Sequence, residues 1–94
     1  MQMTERIERK LTQALAASRV TVHDDSRKHR GHSEAAPGGE THFRVEVVAR
    51  RFADLKAVAR HRLVYDALAE ELGERVHALQ VSARTPEEDA AREV

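Results

Sequence analysis

Six imidazoles, at His23, His29, His32, His42, His61 and His77, are the side chains of this sequence best suited to hold a metal, and no cysteine accompanies them. Imidazole nitrogen suits iron, zinc, copper and nickel. Without a thiol, disulfides, zinc ribbons and thiolate nucleophiles are excluded. The spacing of the histidines makes no metal motif by itself, because there is no HExxH pair and no Cys/His knuckle. Ser18, Ser26, Ser33 and Ser82 sit in no nucleophile elbow, and the glycines form neither a phosphate-binding loop nor a dinucleotide fingerprint. The carboxylate pairs Glu70–Glu71 and Glu87–Glu88 read as exposed helix surface with no apolar pocket around them. No catalytic set emerges, and an enzyme is not expected.

The use of these histidines depends on the elements that hold them. Ile7, Leu11, Ala14 and Leu15 recur at helical spacing, which predicts a helix from about Thr4 to Ala17, capped by Thr4 and with Glu5 at the positive end of its dipole. Val20 and Val22 alternate with polar residues over Arg19–Asp24, a half-buried strand that leaves His23 exposed. Residues 25–41 hold three of the 4 glycines and keep no period, so a long flexible loop carrying His29 and His32 is expected there, with fast amide exchange. Over His42–Ala49, Phe43, Val45 and Val47 share one strand face while His42, Arg44 and Glu46 share the other. Leu55–Leu72 turns helical, as one rod or as two helices, with Val58, His61, Tyr65, Leu68 and Leu72 along its apolar side. That phase makes His61 a hydrogen-bonded structural residue, and Gly73 is placed to end the helix in a left-handed cap. Val76–Ala83 is the third strand, beginning near His77, which shares its parity with Leu79 and Val81. Thr85, Pro86 and Glu88 spell a helix start with a capping box, although the little apolar surface beyond them predicts fraying.

The order is α-β-β-α-β-α. A strand–helix–strand unit within one sheet implies a parallel connection between the second and third strands. An α+β fold follows, with helices covering one face of a small mixed three-stranded sheet. Its 94 residues fit a single domain, 1–94, with the loop at 25–41 and a C-terminal helix or tail at 85–94. The core must be aliphatic, because Phe43, Phe52 and Tyr65 are the only aromatic residues. Sixteen cationic and 16 anionic side chains cancel, so no global charge draws the chain to nucleic acid or to a membrane. The opening MQMTERIERKLTQAL is charged and lacks an apolar run, so neither a signal peptide nor a membrane span is expected, and the cytoplasm is the expected location.

Three blocks carry a family resemblance: GGETHFRVEVVARRF (38–52), RHRLVYDALAEEL (60–72) and VHALQVSARTPEE (76–88). Together with TERIERKLTQAL and the DDS before the loop, they resemble the BolA family over nearly the whole chain, from about Thr4 to Glu88. The resemblance implies a class II K-homology-like fold, in agreement with the derived order. It also implies partnership with a monothiol glutaredoxin through a bridging [2Fe-2S] cluster, in which glutaredoxin and glutathione give sulfur ligands and the BolA-type chain gives nitrogen ligands. Such a chain serves in iron–sulfur cluster trafficking or iron sensing, is a monomer when free, and holds no cofactor alone. The alternative reading is a DNA-binding transcriptional regulator of the BolA type, using Arg50, Arg51, Arg60 and Arg62. The absence of a GXXG loop argues against single-strand binding by analogy of fold, and neutral net charge argues against strong DNA affinity.

Within that resemblance His77 matches the family's C-terminal histidine, in the segment VHAL, and is the expected metal ligand from the rigid part of the fold. The second ligand is a loop histidine. Counting forward from Asp25-Ser26 points to His29, and counting back from Gly-Glu-Thr-His-Phe points to His32. Arg27, Lys28 and Arg30 beside them would attract an anionic cluster or a glutathione carboxylate. His42 and His23 fall on polar strand faces and receive no task.

Overall fold

Met3, Ile7, Leu11 and Leu15 recur every four residues along α1 (Met3–Leu15), and all four are buried in the computed structural model, which describes residues 2–26 and 42–92. The stripe lies over a sheet made of β1 (Arg19–Asp24), β2 (His42–Val48) and β3 (Ala78–Arg84). The strand order is β1-β2-β3, with β1 antiparallel and β3 parallel to β2. A 3₁₀ turn (Arg50–Phe52), α2 (Ala57–Ala67) and α3 (Ala69–Glu74) carry the chain from β2 to β3, and α4 (Pro86–Arg92) follows. The α+β fold and the mixed three-stranded sheet are as the sequence predicts. Phe43, Val45 and Val47 of β2 meet Phe52, Val64, Leu68 and Val76 under α1, and Val20, Val22, Leu79, Val81 and Ala83 pack against them less completely.

Local differences from the sequence reading have identifiable causes. The first helix begins at Met3 with Gln2 as an N-cap that makes no side-chain bond, because burying Met3 extends the i, i+4 stripe upstream of Thr4; Ala14 is exposed instead. Along the crossover the buried positions are Val64, Leu68 and Glu71, while Val58 is 71% and Tyr65 43% exposed, and His61 is exposed too. Two apolar stripes compete on this segment, and the chosen one includes a carboxylate that no hydrophobic pattern registers. The helix breaks at Leu68 into α2 and α3, and Gly73 lies within α3, so it forms no left-handed cap; among the described residues the non-glycine left-handed positions are Ala16 and Asp54. The third strand starts at Ala78, so His77 stands just before the ladder.

Glu71 is fully buried, against the expectation of an exposed Glu70–Glu71 pair. Its Oε2 lies 2.5 Å from Arg6 Nε and 2.7 Å from Lys10 Nζ, in close ion pairs, and Oε1 meets no donor among the described residues. Arg6 and Lys10 also reach the exposed Glu70, and Arg6 reaches Glu74, so α1 is tied to α3 by charge across the top of the core. A buried carboxylate is stabilising only with its cations in place. Glu71→Ala is expected to cost about 2 kcal/mol, less than a wholly buried pair because its partners keep some water. Glu70→Ala should be close to neutral in the same denaturant titration, and equal losses would contradict a special role for the buried carboxylate.

The final helix is fixed by a reciprocal cap. Thr85 N–H donates to Glu88 Oε1 at 2.8 Å, and Glu88 N–H donates to Thr85 Oγ1 at 3.2 Å. Arg60 adds a clamp, donating to both Glu88 oxygens and to the carbonyls of Leu55 and Ala83. Arg60, then the Thr85 backbone, hold the Glu88 carboxyl down at about 2. A depressed folded value means that Glu88 contributes stability fully above the ordinary 4.5 and loses it as pH falls toward 2. Glu88→Gln should therefore melt below wild type at neutral pH and converge on it near pH 2. A deficit that stayed constant with pH would point to packing instead.

Candidate metal-ligand site

The residue before a strand is free of the ladder but carried by it. His77 has this position ahead of β3, and its side chain is exposed. His42 begins β2, whose register sets His42 beside Ala78. The two imidazoles therefore come together at one end of the sheet, with ring centroids 6.5 Å apart and planes 70° to each other. Among the described residues no hydrogen bond occupies the His77 ring, so its nitrogens remain available as donors to a metal.

The same end of the sheet anchors the segment that bears the other candidates. Asp25 N–H donates to the His42 carbonyl at 2.8 Å, and His42 N–H donates to Ser26 Oγ at 3.2 Å. Ser26 is buried, and its own N–H is held by Asp24 Oδ1. Arg44 grips Asp25 with Nε at 2.7 Å from Oδ2. The chain thus leaves and re-enters the described fold next to His42; His29 and His32, and most of the loop expected at 25–41, lie outside the described residues.

The remaining candidates separate from this end. His23 Nε2 stands 3.0 Å from Glu46 Oε2, so His23 is half-buried and engaged rather than simply exposed. Hydrogen bonds from His23 and then Arg84 keep the Glu46 carboxyl below its usual value. Arg19 and Arg84 converge on Asp89, which ties α4 to the open face of the sheet. Of the four arginines considered for nucleic acid, Arg60 is bound within the fold by Glu88 and two carbonyls. Arg50, Arg51 and Arg62 are exposed. His61 is exposed on α2 and takes no structural part in the core.

Among the described residues no group of three or more His, Cys, Asp or Glu side chains could hold a metal ion. Two neutral imidazoles suit a share in a metal centre whose other ligands come from elsewhere, and do not suffice for an iron–sulfur cluster, which normally takes thiolates. No helix among the described residues is long and apolar enough to cross a membrane.

A family profile described as BolA-like protein matches residues 11–88, from the middle of α1 through the cap of α4. The chain belongs to the BolA-like family. Its relatives include BolA-like protein 1 of Homo sapiens, 50% identical over 80 residues that make up 85% of this chain and 56% of the human protein. The chain thus spans about half the length of that BolA-like relative. The UV-induced protein uvi31 of Schizosaccharomyces pombe is 43% identical, over 89% of this chain and 86% of its own length. Among solved structures, the BolA domain of SufE1 from Arabidopsis thaliana superposes with a TM-score of 0.80 at 41% identity, covering 90% of this chain and 93% of that one.

Sequence reasoning gave His42 no task in this BolA-like fold. The parallel register of β2 and β3 brings it to His77, and only the pairing, not the spacing, carries that signal. In the imidazole region of an NMR spectrum, His77→Ala should therefore shift the ring resonances of His42 and leave those of His23 and His61 in place. An unmoved His42 signal would mean that the rings do not meet.

Proposed function

We propose that this chain is an adaptor, not an enzyme, that binds a monothiol glutaredoxin and contributes His77 and a loop histidine, His29 or His32, to a bridging [2Fe-2S] cluster. The role is in iron–sulfur cluster trafficking or iron sensing. The observation that carries it is the exposed imidazole of His77 at the sheet end where residues 26 and 42 flank the other two histidines.

The donor set favours sharing. The cluster, when bound, would supply electron-transfer or delivery chemistry, while this chain supplies nitrogen donors on a rigid sheet end. His77 is carried by the β3 backbone, which orients a ligand without a rearrangement of the core. The absence of cysteine leaves the sulfur ligands to glutaredoxin and glutathione. The rival DNA-binding reading is left with Arg50, Arg51 and Arg62, since Arg60 already serves the fold, and these few contacts give weak, salt-sensitive binding.

Reconstitution with glutaredoxin, glutathione, iron and sulfide tests the proposal. The chain alone should stay colourless, and the mixture should give a visible circular dichroism spectrum different from that of glutaredoxin alone. His77→Ala should change that spectrum strongly. His29→Ala and His32→Ala should each act mildly, and the double substitution should exceed their sum, because two sites sharing one role are non-additive. A His77→Ala spectrum like wild type, or tight sequence-specific DNA binding at physiological salt, would overturn the assignment.

A further inference from the structure

The two edges of the sheet are finished differently. Ala49 N–H donates to the Arg84 carbonyl, and Asp25 N–H donates to the His42 carbonyl. With the strand registers, this fixes which backbone groups face inward: the even-numbered residues of β3 and the odd-numbered residues of β1 face β2. The outward groups are those of Leu79, Val81 and Ala83 on one edge, and of Val20, Val22 and Asp24 on the other.

On the β3 edge, the Leu79 carbonyl accepts from the Tyr65 hydroxyl at 3.0 Å and the Ala83 carbonyl accepts from Arg60 at 3.1 Å. Both donors come from α2, which thereby blunts that edge against another strand. On the β1 edge, the outward amides and carbonyls of Val20, Val22 and Asp24 meet no partner among the described residues. The strand contains no proline, glycine or lysine, and Val20 and Val22 remain half-exposed although they pack against the core. Its guards are confined to the charged residues Arg19 and Asp24 at its two ends, which leaves Val20 to His23 between them without one.

We propose that β1 is a pairing edge for a second copy of this chain, in antiparallel two-fold contact centred on Val22. Self-pairing must set outward residues against outward residues, which a two-fold centred on any residue does, and the centres that keep most of the strand paired are Thr21, Val22 and His23. Charge separates them. Centring on Val22 sets Arg19, which also reaches Asp89 of its own chain, opposite Asp25 of the second copy, which Arg44 already holds, so that each contact extends an ion-pair network, twice by symmetry; it sets Thr21 opposite His23. Centring on Thr21 sets Arg19 against His23, and centring on His23 sets that imidazole against itself. In the favoured register Val22 exchanges main-chain hydrogen bonds with its symmetry mate, and Val20 does so with Asp24. The result is one continuous sheet with α1 of both copies on its core face and α4 of both copies tied to the opposite face. His77, beyond β2, stays open, so the pairing does not depend on the cluster reading.

A contact of this size belongs to the weak, transient class, so the chain should be the expected monomer at low concentration, and sedimentation equilibrium should show the mass rising toward dimer between about 10 µM and about 1 mM. Val22→Pro removes an outward amide without breaking a bond to β2, and should weaken the association at least about tenfold. Amide exchange gives a second reading that needs no variant. Val20, Val22 and Asp24 should gain protection as concentration rises, while Thr21 and His23 are protected throughout. A monomer over the whole range overturns the proposal, as does a dimer that forms without protecting those amides. Protection of them in a strict monomer would mean that the chain covers its own edge, and would overturn it equally.

Discussion

β2 is hydrogen-bonded on both sides, antiparallel to β1 and parallel to β3, and every feature of interest takes its position from that double pairing. A slip of one residue against either neighbour would turn Phe43, Val45 and Val47 out of the core and His42 and Arg44 into it. Register is therefore held by burial, and burial is supplied by α1. The same register sets His42 beside the approach to β3 and opposite Asp25, so the meeting of two imidazoles and the anchoring of residues 26 and 42 are consequences of core packing.

Much of this was legible in the sequence, where a single hydrophobic period dominates. The i, i+4 stripe of α1, the alternation in β2 and the Thr85–Glu88 cap declare themselves, because each is a local pattern with one physical reading. The crossover was harder. Val58 and Tyr65 look like core residues beside Leu68, yet the buried side is that of Val64, Leu68 and Glu71. Sequence pattern counts apolar side chains and cannot foresee that Arg6 and Lys10, from a helix some sixty residues earlier in the chain, would neutralise a carboxylate and allow it inside. The candidate site divides in the same way. His77 is a candidate through its family resemblance, whereas nothing in the sequence points to its neighbour His42, since their proximity is created by strand pairing between distant segments.

Neutral net charge conceals an ordered arrangement. Arg6, Lys10, Arg19, Arg44, Arg60 and Arg84 all face carboxylates, and they tie α1 to α3, α2 to α4, and α4 to the sheet. With little aromatic surface available, a thin aliphatic core is framed by these ties, and the helices are located by charge as well as by burial. Arg60 illustrates the consequence for function. An arginine that reads as a ligand-binding candidate in the sequence is consumed in closing the last helix and capping an edge carbonyl.

The place of His77, one step outside the β3 ladder, bears on how such proteins change over evolutionary time. Its side chain is exposed and contributes nothing to strand pairing, so its replacement leaves the core and the register intact. Selection for a stable fold does not preserve that imidazole; only selection for its chemistry does. A relative can therefore keep this architecture in full and carry another side chain at this position, without a trace in its overall shape. Superposition of whole domains is therefore silent on the residue ahead of β3, and chemistry has to be read from that position itself.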